Sequence, residues 1–208
     1  MPSSSRLREP VNTITHAAGV VLALGFAVAF LLRGNPNPTL LIFASSMAVL
    51  YLSSALYHGL RVSERGIERL KRLDHGAIFV LISGTYTPVL WMALSDPWRW
   101  VALGAIWGIT FVGIGLKVFT TLPDWLSLML YILQGWLALG LLPILFNALP
   151  MAAFVALVVG GVLYTAGVPF FASRRQWRVL GFGTHEVWHL FVLAGSIAHG
   201  VMIWNLPI

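Results

Sequence analysis

The chain has 208 residues, of which 58% are hydrophobic and only 10% are charged, and its mean hydropathy is +0.84. Soluble domains carry about 25% charged residues, so this composition excludes a mostly water-facing surface and predicts a lipid environment. The net charge of +6 does not indicate nucleic-acid binding, because the basic residues lie in short loops between apolar runs, and the absence of cysteine excludes disulfides and thiolate ligands.

Seven apolar segments are long enough to cross a bilayer as helices, which takes about 20 residues each. They predict an all-α, polytopic membrane protein whose single domain, residues 1–208, is a seven-transmembrane helix bundle. The weakest boundary lies between the fifth and sixth segments, where a broken helix would change the count. The spacing Gly104-x-x-x-Gly108, with Gly113 and Gly115 beyond it, lets helix backbones approach closely, which predicts packing within the bundle and leaves a dimer face as the alternative. The predicted spans cover 13–32, 39–59, 73–93, 99–117, 125–147, 151–171 and 184–205.

The first span follows two basic residues, Arg6 and Arg8, in a pattern that resembles the start of a signal peptide. Its apolar run is too long for a typical signal sequence and lacks a clear small-residue cleavage site, so we expect a retained helix. His16 lies near the start of this span, in the stretch Asn-Thr-Ile-Thr-His. We expect it to be a supporting residue at the level of the polar cluster described below.

The basic residues predict the orientation of the bundle, because cytoplasmic loops carry an excess of Lys and Arg. With seven alternating spans, only Arg33 and Arg99 fall on the outer side, so the N-terminus is expected in the cytoplasm and the C-terminus outside. A G-protein-coupled receptor has its N-terminus outside, and a retinal protein needs a lysine that the last span lacks. The residues expected on the cytoplasmic side are Arg6, Arg8, Arg61, Arg65, Arg69, Lys71, Arg72, Lys117, Arg174, Arg175 and Arg178.

Five polar residues fall at the predicted cytoplasmic ends of three spans, where ionisable groups are costly and usually mark function. Ser54 and His58 close the second span, Asp74 opens the third, and His185 and His189 open the seventh. Each pair within a span is four residues apart and therefore shares a helical face. Singly, each residue is more often an interfacial or hydrogen-bonding group. Together they predict a metal site, and imidazoles with a nearby carboxylate suit zinc, although imidazole also binds other divalent ions.

Three further residues, His75, Glu186 and His199, lie beside this cluster or further along the seventh span. His75 follows Asp74 but points to a different face, so a supporting or interfacial position is expected. Glu186 makes His-Glu-Val-Trp-His match H-E-x-x-H, in which the glutamate is a general base. It lies about 100° around the helix from His185, and its alternative role is that of an acidic first-turn residue favoured by the helix dipole. His199 lies ~15 Å along the helix from His189, so we expect it to line a cavity or bond in the core.

Several of these stretches together resemble the bacterial haemolysin III proteins, which belong with the progestin and adipoQ receptors, including the adiponectin receptors. The resemblance covers nearly the whole chain. It implies seven helices, a cytoplasmic N-terminus and a multi-pass position in a bacterial inner membrane. The stretches are Asn12-Thr-Ile-Thr-His16, Ser54-Ala-Leu-Tyr-His58, Leu73-Asp74-His75, Gly84-Thr-Tyr-Thr-Pro88 and His185-Glu-Val-Trp-His189.

The resemblance also implies a site and an activity. Zinc would be held by His58, His185 and His189 near the inner leaflet, Asp74 would contact the zinc-bound water, and Ser54 would lie beside it. The wider superfamily also contains alkaline ceramidases, so the expected function is metal-dependent hydrolysis of a membrane lipid amide or ester that influences lipid homeostasis.

Two alternatives stay open. Zinc would be structural in a non-catalytic sensor or regulator of membrane state, or the chain would be a pore-forming haemolysin that causes cytolysis. Short loops and the lack of a charged lumen-lining stripe argue against the pore. The expected partners are a lipid substrate or ligand and the bilayer, while the substrate and the oligomeric state are not predicted.

Overall fold

The computed structural model describes residues 7–34, 37–173 and 178–207, and this part of the chain is almost entirely helical. A short 3-10 segment, Leu137–Leu141, joins the fifth helix to the sixth, and a two-stranded antiparallel hairpin precedes the last helix. The helices are α1 (Pro10–Leu31), α2 (Pro38–Gly59), α3 (Glu64–Ala93), α4 (Trp98–Phe119), α5 (Asp124–Trp136), α6 (Leu142–Ala148), α7 (Met151–Ala172) and α8 (Thr184–Trp204), and the hairpin strands are β1 (Arg178–Val179) and β2 (Phe182–Gly183).

Seven helical segments are long and apolar enough to cross a membrane, which confirms the predicted all-α, seven-span architecture. The fifth span, Asp124–Ala148, consists of α5, the 3-10 segment and α6. The irregular backbone therefore lies inside the fifth span and leaves the number of spans unchanged. Proline and asparagine set the helix starts, as at α2, where the side chain of Asn37 accepts a hydrogen bond from the backbone of Thr39 at 3.0 Å.

Helix α3 begins nine residues before the predicted start of the third span, so the expected basic loop is largely helical. Ser63 caps this helix, its hydroxyl accepting a hydrogen bond from the backbone of Gly66 at 3.3 Å. One turn further, Arg72 pairs with Glu68 at 3.0 Å, the i, i+4 arrangement that stabilises a helix. The apolar pattern of the third span does not include this extension, because the first residues of α3 are charged and mostly exposed.

The charged residues lie at two opposite ends of the bundle, as predicted from their alternation along the chain. Arg8, before α1, donates to the carbonyl of Tyr57 near the end of α2. At the other end, Arg33 donates to the carbonyl of Leu206 at 2.7 Å. The assignment of these ends to the two membrane faces stays a prediction. Arg6, Arg174 and Arg175 lie outside the described residues.

Glycines permit the closest helix contacts, but not at all the positions that the sequence indicates. Gly19 lies against the ring of Tyr51, and Gly113 lies against the ring of Phe79. The expected packing inside the bundle is found at Gly113 but not at Gly104 and Gly108, where a dimer face stays a prediction. A Cβ atom at either position would meet no atom within 4 Å.

Candidate metal centre

Three histidines from two helices meet at one end of the bundle. His58 ends α2, while His185 and His189 lie in the first turns of α8. One ring nitrogen of each lies within 4.8 Å of the other two, and His58 and His189 are buried. This group could hold a metal ion, and no other set of three His, Cys, Asp or Glu side chains in the described ranges has that geometry.

The start of α8 is fixed by a cap that uses Glu186. The backbone N–H of Gly183 donates to the Glu186 carboxylate at 2.8 Å, so this acidic group satisfies a free donor of the first turn. This contact supports the role of Glu186 as an acidic residue of the first helical turn. The cap holds the turn that carries His185 and His189, which share one face of the helix.

A carboxylate that the sequence analysis missed completes the surroundings of His58. Nδ1 of His58 lies 2.6 Å from Oε2 of Glu9. Asn12 donates to the same oxygen at 2.9 Å, and Arg8 lies 3.1 Å from the other oxygen. The hydrogen bond with His58, supported by the one from Asn12 and by nearby positive charge, lowers the pKa of Glu9 to about 2 against the opposing effect of its burial.

This contact tests whether the histidines suit a metal. Because a carboxylate accepts, the proton of the neutral His58 ring lies on Nδ1, and Nε2 then presents its lone pair. Nε2 is buried and has no hydrogen-bond partner among the described residues. Histidine ligands of metals usually donate their other ring N–H to a carboxylate or carbonyl. The donor set and its outer carboxylate therefore fit a divalent metal ion.

Glu9 is positioned by backbone pairing between the start of α1 and the end of α2. The N–H of Glu9 donates to the carbonyl of His58 at 3.0 Å, and that of Arg8 donates to the carbonyl of Gly59 at 3.2 Å. Glu9 precedes the predicted first span, where the sequence analysis identifies no site residue. Its spacing from Asn12, one helical turn later, is the signal that could have revealed it.

His16 contacts the cluster without being part of the three-histidine group. Its ring stacks on that of His189 with centroids 3.7 Å apart and lies edge-on to Tyr51 at 5.1 Å. Both of its ring nitrogens are buried and have no hydrogen-bond partner in the described part of the chain. These are the contacts of a supporting residue, and the role itself stays a prediction.

Asp74 and Ser54 lie beside the three histidines. Asp74 is buried at the side of a cavity that Ser54 also lines. It is not a member of the group whose ligand atoms converge. Nδ1 of His75 lies 3.9 Å from the carboxylate of Asp124 on α5, and its supporting role stays a prediction.

A cavity of about 310 Å³ extends from this cluster into the bundle. Its polar lining includes Ser54, Asp74, His185 and His189, and most of the remaining wall is apolar. Other lining residues are exposed on the outer surface of the bundle, so the cavity reaches the surface that would face lipid. These rim residues are Trp136 and Leu139 at the junction of α5 with the 3-10 segment, and Val158, Val162 and Thr165 on α7.

Comparisons with known proteins agree with the resemblance noted in the sequence. The sequence model of the family described as "Haemolysin-III related" matches residues 4–200. Hemolysin-3 of Bacillus cereus is 36% identical over 196 residues, which cover 90% of this chain and 86% of that protein. The Hemolysin-3 homolog of Bacillus subtilis is 36% identical over 198 residues, which cover 91% of this chain and 90% of that protein. The chain is a multi-pass integral membrane protein of bacterial type, and it belongs to the haemolysin-III related family.

Proposed function

We propose that the protein is a zinc-dependent hydrolase that cleaves an amide or ester of a membrane lipid and so influences membrane lipid homeostasis. The observation that carries this proposal is the position of three convergent imidazoles at the polar end of a largely apolar cavity. A polar reaction centre and an acyl-chain site would then occupy one continuous space.

Zinc is the metal that best suits this donor set. It favours nitrogen ligands, and a catalytic zinc site has three protein ligands with one position left open. His58, His185 and His189 would be the three ligands, and Glu9 would orient His58 through Nδ1. Among the residues that the structure describes, no fourth side chain joins this group, which supports an open position and hence chemistry rather than a closed structural site.

The chain's own residues would divide the remaining work. A bound zinc ion supplies Lewis acidity and makes water a stronger nucleophile near neutral pH. Asp74 would accept the proton of the attacking water and return it to the leaving amine or alcohol. Ser54, which lines the cavity with Asp74, would donate a hydrogen bond to the substrate oxygen as negative charge develops on it.

The cavity supports a lipid substrate that enters from the bilayer. Leu139, Val158 and Val162 line the cavity and are 51%, 45% and 55% exposed on the outer surface. An acyl chain could pass between the fifth span and α7 without crossing water. Its carbonyl group would then lie at the end of the cavity that holds Asp74 and the histidines.

A second candidate function is a regulator of membrane state with a structural metal. The observation that favours it is that the histidines connect α2 to α8, so metal binding would fix the relative position of two helices. The names of the two Bacillus relatives suggest a third candidate function, that of a pore-forming lysin. The mostly apolar cavity lining offers little support for an ion pathway.

The decisive experiment compares metal content and lipid hydrolysis in the purified, vesicle-reconstituted protein. Synthetic ceramide, N-dodecanoylethanolamine and a phospholipid serve as amide and ester probes. We expect about one zinc per chain. We also expect hydrolysis of at least one probe, lowered by roughly 100-fold or more in Asp74→Asn with zinc retained.

The matched control is Asp124→Asn, which removes an exposed carboxylate at the start of α5 and should leave hydrolysis unchanged. Full zinc content without hydrolysis of any probe would favour the regulator. Conductance through the vesicles that survives loss of all three histidines would favour the pore.

A further inference from the structure

A groove of about 420 Å³ runs along the outer surface of the bundle between α4 and α5. Val112 and Leu133, on its two sides, are exposed, whereas Phe79 of α3 is buried, so the groove opens outward and α3 forms its floor. Among the described residues, none lines both this groove and the cavity beside the three histidines. We define the α4–α5 groove by six of its lining residues, Phe79, Gly108, Val112, Leu116, Leu130 and Leu133.

The groove covers most of the depth of one lipid leaflet. On α4 it extends from Gly108, in the middle of the helix, to Leu116, near its end. These positions are eight residues apart in the sequence, a separation of ~12 Å along the helix axis. Half of the hydrocarbon core of a bilayer is ~15 Å thick. The groove therefore has the length and the direction of an acyl chain that belongs to a single leaflet.

Gly108 leaves open space in the groove. A Cβ atom at this position would meet no atom within 4 Å. The lining side chains are apolar except for Gln134, whose amide nitrogen is already bonded to Ser83 and Thr110. Within a bilayer, an open apolar groove of this kind is filled by hydrocarbon.

A buried lysine lies beyond the end of the groove. Lys117 follows Gly113, another lining residue, by one helical turn on the same face of α4. It is only 6% exposed. Its Nζ makes no hydrogen bond or ion pair with the described residues, and it is not one of the unpaired polar atoms that are fully enclosed. The ammonium is therefore without a partner in this part of the chain and open to the outside of the bundle.

The charged side chains around Lys117 do not neutralise it. Four of them act on its ammonium through space, namely Lys71, Arg72, Glu68 and Asp124. Asp124 already pairs with Lys71 at 3.1 Å, and Glu68 already pairs with Arg72 at 3.0 Å. Three cations and two carboxylates leave one positive charge, which falls on Lys117. A buried charge is costly unless it is paired, so this position favours an anionic ligand.

We propose that the α4–α5 groove is a binding site for an acidic phospholipid, with one acyl chain in the groove and the headgroup phosphate paired with the ammonium of Lys117. A lysine binds phosphate as a point charge. A zwitterionic phospholipid fits less well, because its own ammonium group already compensates the phosphate. The site is separate from the candidate metal centre, and the inference does not depend on the proposed function.

The test measures lipid binding to the detergent-purified protein by native mass spectrometry, which also reports the oligomeric state. The probes are dioleoylphosphatidylglycerol and dioleoylphosphatidylcholine, which have the same acyl chains and differ in headgroup charge. For the wild type we expect about fivefold tighter binding of phosphatidylglycerol, which is the usual gain from one cation next to an anionic headgroup.

The first variant removes the charge and keeps the length of the side chain. Lys117→Met should bind the two lipids equally, with the affinity for phosphatidylcholine unchanged. The matched control is Arg65→Gln, which removes an exposed positive charge near the start of α3, at the same end of the bundle. It should keep the preference of the wild type. A preference for phosphatidylglycerol that persists in Lys117→Met would overturn the pairing of the phosphate with this lysine.

The second variant fills the groove. Gly108→Leu has room for its side chain, and it should weaken the binding of both lipids by roughly tenfold or more, because leucine and the acyl chain compete for one packed volume. Gly104→Leu is the matched control, since a Cβ atom there also meets no atom within 4 Å but the residue does not line the groove. It should bind both lipids like the wild type. Equal binding in Gly108→Leu and Gly104→Leu would overturn the groove as the site of the acyl chain.

Two further outcomes identify other occupants. Excess inorganic phosphate should not displace phosphatidylglycerol, because phosphate alone gains nothing from the groove. Displacement by phosphate would reveal a site for the free anion and overturn the lipid site. A dimer that is lost in Gly108→Leu, with lipid binding unchanged, would assign the groove to a second copy of the chain and would also overturn the inference.

Discussion

Oε2 of Glu9 lies 2.6 Å from Nδ1 of His58, so the carboxylate determines which nitrogen of the ring is free to bind a metal. The residue that sets the tautomer lies 49 positions away in the chain. Backbone pairing between the start of α1 and the end of α2 brings the two together. The N-terminal segment is therefore part of the candidate metal centre and not only a topology signal.

Replacement of this carboxylate should weaken metal binding without preventing it. We expect Glu9→Gln to lower zinc affinity by roughly 10- to 100-fold, the usual effect of losing an outer-shell partner of a histidine ligand. Glutamine can still accept from Nδ1, but it has no charge to increase the basicity of the ring. Competition with a fluorescent zinc chelator measures the change.

Glu64→Gln is the matched control for this substitution, because Glu64 is an exposed acidic residue in the first turn of α3. Its zinc affinity should equal that of the wild type. Equal affinities in Glu9→Gln and the wild type would show that Glu9 does not orient the site.

The histidines themselves should differ sharply from the histidine further along α8. We expect His58→Ala and His189→Ala each to reduce bound zinc from about one ion per chain to a small fraction after dialysis, because two imidazoles hold zinc much more weakly than three. His199→Leu should retain the full amount. Elemental analysis by mass spectrometry of detergent-purified protein gives the numbers. Full zinc content in His58→Ala would refute the assignment of the site.

The seven spans and the common level of the three histidines could both be predicted from the sequence. Apolar runs and basic loops can be recognised from local composition, because a bilayer constrains both the length of each span and the charge of each loop. The sequence could not predict the position of Glu9, because a contact between the start of α1 and the end of α2 depends on how the backbone of the two segments pairs. It also predicted packing within the bundle at Gly104 and Gly108, whereas this small-residue spacing lies on a face that meets no other helix of this chain. The stacking of His16 on His189 likewise needs the packed bundle.

The packing of the fifth span depends on a buried amide. Nε2 of Gln134 donates to Ser83 Oγ at 3.0 Å and to Thr110 Oγ1 at 2.9 Å, which joins α5 to α3 and α4. We expect Gln134→Leu to lower the free energy of unfolding by about 1 kcal/mol, in line with side-chain hydrogen bonds between membrane helices. Both hydroxyls keep their bonds to backbone carbonyls, so the loss stays modest.

Thermal unfolding in detergent, with zinc content as a second readout, measures this effect. Leu133→Ala, on the exposed face of the same helix, is the control, since that side chain is 61% exposed. Gln134→Leu should be the less stable of the two variants, with zinc content unchanged. Equal stability would mean that the amide contributes nothing to the packing of α5.

Zinc should stabilise the folded protein because its ligands come from α2 and α8. A ligand that binds only the folded state adds about 2.7 kcal/mol at 100 times its Kd, so excess zinc should raise Tm of the metal-stripped protein by several degrees. The variant that carries both His58→Ala and His189→Ala should show no shift, which separates the site from adventitious binding. Magnesium is a second control, because it prefers oxygen ligands and should not act through three imidazoles. A scan of Tm against zinc concentration also yields the affinity. An equal rise of Tm in the double variant would place the stabilising ion elsewhere, and the histidines would then have to be explained without a metal.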